Sequence, residues 1–273
     1  MKFFITPSAG LAANAIMFAA ALGAPAAQAQ ESGPPDADSW HFNVGAGVAS
    51  QSRYSGSHER KLMLMPTLGA SYGRWSIGAI PGAAGAVAGV GYSLLQEGPW
   101  RIGLGIGTSL KPPRMESDST LLTGLGDISR TTLASASVGY NAKWFGAHAS
   151  VMTDVGDHQQ GTQAALDVQA RYSPMPGLML SAGPGLTWAD SRYMQTYYGI
   201  DAAQSTRSGK SAYTASGGLN SVRFGVGAQY QLTQQWTIGA KLGSSSLRGD
   251  AAKSPITVGK LQTTLGLSTN YRF

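Results

Sequence analysis

The sequence predicts an all-β fold, a closed antiparallel transmembrane β-barrel of about twelve strands with short periplasmic turns and longer external loops. Three observations predict it. Charged residues make up 12% of the 273-residue chain, about half the share usual in a soluble globular protein. Glycine supplies 37 residues, roughly twice the average usage. Apolar residues recur at every second position, which is the period of a strand rather than a helix. A mean hydropathy of −0.08 argues against a helical membrane protein. The absence of cysteine excludes disulfide scaffolds and zinc–thiolate sites.

Met1-Lys2 precedes an Ala-rich apolar run from Ala9 to Ala24, and Ala27-Gln28-Ala29 follows as a small-x-small cleavage site. Residues 1–29 read as a secretory signal peptide cut after Ala29. An N-terminal membrane helix is the weaker alternative, because the run falls short of the roughly 20 residues of a span and Pro25 follows it. Residues 30–39 form a polar, Pro-bearing periplasmic leader, and residues 40–273 are assigned to the barrel.

Alternating runs mark strands at 40–49, 62–72, 74–80, 85–94, 100–110, 131–141, 144–153, 162–172, 178–189, 222–232, 235–246 and 258–273. In the last, Leu261, Leu265, Leu267, Tyr271 and Phe273 share one parity, while Gln262, Thr264, Ser268, Asn270 and Arg272 hold the other. Each run is near the 9–11 residues a tilted transmembrane strand needs. Several apolar faces end in aromatics, among them Trp40, Trp75, Trp100, Tyr140, Trp188 and Trp236, as in the girdles of outer-membrane barrels.

Connection lengths give an independent test. With both termini inside, the external loops are 50–61, 80–85, 111–130, 154–161, 190–220 and 247–257. The turns between them are short. Only 80–85 is short for an external loop, which leaves a tight hairpin or misassigned strands 3 and 4. A secreted β-sandwich would also alternate, but its outer faces would carry more Lys and Glu. The polar parity here is Gly, Ser, Thr, Gln and Arg, which suits a narrow hydrated lumen. A sheet in lipid must close on itself to pair its backbone, and Phe273 with Tyr271 matches the usual ending of such barrels.

Five short stretches, in order, resemble the MipA/OmpV family of outer-membrane proteins. They are Tyr54-Ser55-Gly56-Ser57, Leu122 to Ile128, Thr187 to Ile200, Ser208 to Tyr213 with Gly217-Gly218-Leu219, and Leu247 to Ile256. One departure is Tyr198, where the family pattern has Phe. The resemblance implies an outer-membrane barrel. It further implies, for the MltA-interacting type, a scaffold between a murein lytic transglycosylase and a bifunctional penicillin-binding protein. Other members of the family are discussed as surface adhesins or antigens.

The candidate loop plug or family-motif residues are Trp188, Asp190, Tyr193, Met194, Tyr197, Tyr198, Gly199, Asp127, Gly249 and Asp250. Asp190 is placed to cap a short helix carrying the Tyr193, Met194, Tyr197 and Tyr198 side chains, with Gly199 as terminator. Such a turn either seals the barrel mouth or packs as a rigid loop on itself. Arg248-Gly249-Asp250 spells a tripeptide used in adhesion. A turn explains it better, with Gly249 permitting the backbone and Asp250 accepting hydrogen bonds. Gly124-Leu125-Gly126-Asp127 reads as a turn closing the 111–130 loop.

Arg101, Asp167, Arg171, Arg223, Lys241 and Arg272 fall on the lumen parity, as does Lys260. They describe either a slightly cationic channel or, the favoured reading, ion pairs that rigidify a filled barrel. His148 and Ser150 share a strand face and raise the possibility of a lipid hydrolase, but their parity points inward and no Gly-x-Ser-x-Gly is present. Asp154, Asp157 and His158 read as a solvated acidic loop before they read as a cation site. No catalytic residue, metal ligand or cofactor is assigned. Outer-membrane lipid and lipopolysaccharide are the expected surroundings, the latter matching the net charge of +6, and no nucleic-acid motif appears. The function expected is a non-catalytic scaffold, anchor or surface interaction protein. A passive channel for small polar solutes is the alternative.

Overall fold

A computed structural model describes residues 39–82, 85–110 and 113–273. The expected signal peptide and most of the leader lie outside the described residues. Twelve antiparallel strands close into one barrel. They are β1 (Trp40–Ser52), β2 (Arg60–Tyr72), β3 (Trp75–Gly82), β4 (Gly85–Leu95), β5 (Trp100–Ser109) and β6 (Thr132–Asn141), followed by β7 (Phe145–Asp154), β8 (Thr162–Met175), β9 (Leu178–Ala189), β10 (Gly218–Gln231), β11 (Trp236–Leu247) and β12 (Leu261–Arg272). Each strand pairs with its sequence neighbours, and β1 closes on β12 from Asn43↔Arg272 to Ser50↔Leu265. The wall therefore closes on itself, as a bilayer demands, with one short seam between β2 and β3.

The predicted parity is the parity observed. Leu62, Leu64, Leu68, Leu104, Ile106, Phe224, Leu242 and Leu265 all point outward and remain exposed, Leu64 by 74%. In water this would be an aggregating surface; in lipid it is the solvated face. No helix among the described residues is long and apolar enough to cross a membrane.

Outward aromatics gather at the short-turn end. Trp40 stacks on Phe42, and Trp75 meets Tyr92 edge-on at 4.8 Å. Trp100 meets Tyr140 at 4.9 Å, and Trp236 meets Tyr271 at 5.1 Å. These are cross-strand neighbours, Trp100 with Tyr140 and Trp236 with Tyr271. Trp188 alone of the tryptophans stands at the long-loop end of an outer strand face, 40% exposed. This removes it from the candidate plug, because odd–even alternation along β9 turns it to lipid.

The doubt about strands 3 and 4 resolves as a tight hairpin, since β3 and β4 pair from Trp75↔Tyr92 to Gly82↔Gly85. The unexpected feature lies on its other side. β2 and β3 pair only through Ala70↔Ile77, Ser71↔Ser76 and Tyr72↔Trp75. At Gly78 the backbone takes φ +123°, a region that L side chains rarely adopt. A Cβ there would also strike the Leu68 carbonyl. Beyond this kink β3 leaves the wall and bends into the lumen.

Ile80 and Val87 are buried with Leu133 of β6, and Met152 of β7 packs against them. Ala79 and Ala88 pack against a second cluster of Ala49, Met63, Met65 and Leu110. β6 and β7 are not neighbours of β3 in the sheet order, so this contact spans the interior. Gly105 leaves the room that the Ile80 side chain fills, because a Cβ there would stand 2.6 Å from Ile80 Cγ2. Outside, an apolar groove of about 510 Å³ covers the lower part of this seam, lined by Phe42, Val44, Leu68, Ala70, Ile77 and Phe273 among others.

Candidate functional site

The long loops fold into a cap with its own apolar core. Asp190 caps helix α1 (Ser191–Tyr198), its carboxylate accepting from the Tyr193 N–H at 2.8 Å. The helix ends at Gly199 with φ −76°, so the glycine is not a left-handed terminator. It is required by contact instead, because a Cβ would collide with the Gln195 side chain. Ile200 then forms an isolated bridge with Tyr213. Helix α2 (Ala202–Ser208) follows, held by an Asp201–Gln204 capping box and stopped by Gly209 at φ +68°. Its start signal, Asp201-x-x-Gln204, is readable in the sequence.

Met194, Tyr198, Ala215, Leu247 and Ala251 form one buried cluster, and Tyr54, Leu122, Leu125, Ile200 and Ile256 another. These residues come from four different loops. Polar bonds join the loops. The Tyr198 hydroxyl lies 2.7 Å from Ser55 Oγ and 3.4 Å from Asn220 Oδ1. The oxygen that distinguishes it from Phe is thus used. Tyr54 donates to the Ile256 carbonyl, and Ser254 donates to the Tyr198 carbonyl at 2.6 Å.

Gly249 takes φ +53° and opens helix α3 (Gly249–Lys253). The Asp250 carboxylate accepts from the Ser216 N–H at 2.9 Å. That bond holds the carboxyl below its ordinary range. Arg248-Gly249-Asp250 thus serves the cap. Asp127 accepts from the Glu116 N–H at 2.7 Å and closes the third loop.

Burial is the dominant influence on the cap's phenols. It pushes Tyr197 up to about 12 and raises Tyr193 and Tyr198 above their ordinary value. Tyr193 and Tyr197 stack at 4.3 Å. Between the cap and the inner face of the wall lies a cavity of about 90 Å³, to which both tyrosines, Arg114, Leu133 and Met152 contribute lining. Arg114 is 6% exposed and donates to the Tyr197 carbonyl at 3.2 Å. Sequence reading missed it, because a lone Arg after Pro113 in a loop carries no periodic signal.

Of the predicted lumen charges, Arg223 and Asp167 form an ion pair at 3.0 Å. Lys241 is close enough to act electrostatically on both. Arg171 donates to Asn141 Oδ1 at 2.7 Å. Arg101 does not join them; it is exposed and donates to the Gly98 and Trp100 carbonyls at the short-turn rim. Arg272 is exposed at the same rim, and Lys260 precedes β12. Charges at strand ends reach water locally, so parity alone does not place them in the interior.

Ser150 is buried, and no hydrogen bond joins it to His148 among the described residues. Asp154 is engaged by Thr131 and by the Gly156 and Gln160 N–H groups. Among the described residues no group of three or more His, Asp or Glu is placed to hold a metal.

A closed twelve-strand wall with an outward apolar face and an aromatic rim defines an outer-membrane β-barrel protein. The description of MltA-interacting protein MipA matches residues 44–273, and the chain belongs to that family. No curated protein matches it. An outer-membrane channel of Pseudomonas putida is 14% identical, aligned over 89% of this chain and 100% of its own, with a TM-score of 0.48. The DcaP channel of Acinetobacter baumannii is 10% identical over 86% of this chain and 96% of its own, TM-score 0.40. The toluene transporter TbuX of Ralstonia pickettii is 12% identical over 86% and 90%, TM-score 0.39. None of these likenesses bears on what this chain does.

Proposed function

We propose that this protein is a non-catalytic outer-membrane anchor that holds a murein lytic transglycosylase, and with it a bifunctional penicillin-binding protein, at the inner surface of the membrane. The carrying observation is the obstructed upper lumen. The β3–β4 hairpin turns Ile80 and Val87 into the lumen against Leu133 and Met152, and four loops cap one mouth. A barrel built this way spends its wall on stiffness rather than on passage. The family's name supplies the first partner and the MipA/OmpV resemblance the second. The surface offered to them comprises the short turns and the leader of residues 30–39, after removal of a signal peptide at Ala29. Peptidoglycan is then the context of its work, with lipid and lipopolysaccharide around the barrel. Pull-down with the folded barrel is expected to retain the transglycosylase under gentle extraction; its absence there counts against the proposal. Mass measurement of the protein from membranes is expected to show a chain beginning at Gln30.

The second reading is a passive channel for small polar solutes. It is favoured by the Asp167, Arg223 and Lys241 group inside the wall, since charged side chains are tolerated there when water reaches them. Planar-bilayer recordings separate the two. Discrete, reproducible conductance steps from purified protein would replace the anchor by the channel, whereas silence is expected of the anchor.

A further inference from the structure

The cavity under the cap contains an unusual charge. Arg114 is 94% buried, counted from its 6% exposure. Burying a guanidinium without a counter-ion is costly, and among the described residues no carboxylate lies within ion-pair distance of it. Its Nη1 donates to the Tyr197 carbonyl, while Nε is enclosed and has no partner among the described residues. The acid that most affects it, Glu116, is engaged by the Gly126 N–H at 2.5 Å.

Arg53 and Arg130 also line the cavity, and among the described residues no Asp or Glu does. Arg53 is already paired with Glu59 at 3.2 Å. Arg130 makes only a bond to the Ser109 carbonyl at 3.2 Å among those described. Two cations therefore face one small space with no fixed anion. A volume of about 90 Å³ is several times what one water needs, and it admits a carboxylate or phosphate group.

We infer that this cavity is an oxyanion-binding site, in which a carboxylate or phosphate group pairs with the guanidinium of Arg114 and is neutralised by Arg114 and Arg130. Charge-assisted bonds to guanidinium are among the strongest available to a protein, and phosphate and carboxylate suit the fork geometry. The site is independent of the periplasmic partner proposed above. Two sources offer the group, a free solute and the phosphates of lipopolysaccharide at the same membrane face.

The test is calorimetric titration of the full mature barrel, in micelles free of lipopolysaccharide, with phosphate and with acetate against a chloride background. A parallel arm uses nanodiscs with and without lipopolysaccharide. Saturable one-site binding is expected in at least one arm, weakened about tenfold or more in Arg114→Gln. Arg130→Gln is expected to weaken it as well and serves if Arg114→Gln fails to fold, because Arg130 is exposed on its other side. Binding in micelles identifies a free anion, and binding only with lipopolysaccharide identifies its phosphates. Absence of saturable binding in both arms, or equal binding by the parent and both variants, overturns the site and leaves a cavity of ordered water.

Discussion

The wall closes in two different ways. β9 and β10 pair along almost their whole length, from Gly218↔Ala189 down to Tyr230↔Leu178. β2 and β3 pair only at their base, below the Gly78 kink. Above it, no described strand pairs with β2 on that side. In a bilayer each unmatched backbone group costs several kcal/mol, so the departure of β3 needs compensation. Burial of Ile80 and Val87 supplies about 1.5–3 kcal/mol each. The contrast teaches that backbone pairing and interior packing are exchangeable ways of closing a small barrel. Where the hairpin packs inside, the seam is short; where nothing packs inside, the ladder is long.

The largest expected effect comes from placing a charge under the hairpin. Val87 is fully buried, and Val87→Asp is expected to cost about 3–5 kcal/mol, the penalty of an unpaired buried charge. Urea unfolding of the vesicle-inserted barrel measures the loss. Bilayer recordings of the same variant are expected to show conductance that the parent lacks. A stable, silent variant would mean that the hairpin does not hold the interior shut.

Next comes the cap. Tyr198→Ala removes a buried ring and its two polar contacts, an expected loss of about 3 kcal/mol or more. Because the ladder of β9 and β10 does not depend on it, the loss should appear locally. Trypsin cleavage at Arg207 or Lys210 would rise while heat-resistant barrel migration on gels stays unchanged. Asp190→Ala, which deletes one helix cap, is expected to do the same at about 1 kcal/mol.

The smallest effect is a titration. Burial holds Tyr197, and also Tyr54, up to about 12 against an ordinary value of 10.0. Both folded values lie above the unfolded one. Their stabilising contribution is therefore complete below pH 10 and is lost as pH rises towards 12. Tyrosinate absorbance should show these two phenols ionising late, together with opening of the cap. Ionisation of Tyr54 and Tyr197 at the ordinary value with the cap intact would contradict their burial.

Much of this barrel was legible beforehand for a definite reason. Alternation is strict wherever one face meets lipid, so β5, β8, β10 and β12 were placed within a few residues of their ends. The Asp190 cap and the turn at Gly249 were equally readable, since each depends on one side chain and its neighbours. The hairpin's inward course was not. Ala79-Ile80 and Val87-Ala88 alternate like any other strand, and only the partner they abandon reveals the bend. The cap's core was hidden for a similar reason: Tyr54, Leu122, Ile200 and Ile256 stand far apart in the chain, and no local period links them. Arg114 and the occupancy of the lumen followed from the same long-range packing.

The one-sided belt of Trp40, Trp75, Trp100 and Trp236 has a mechanical consequence. Indole rings settle at the headgroup level, so the molecule is moored mainly in the phospholipid leaflet, with Trp188 the single outward indole at the other boundary. Its height over the cell exterior then follows the thickness of the opposite leaflet. Swelling or thinning of that layer would submerge or lift the loops without tilting the cylinder.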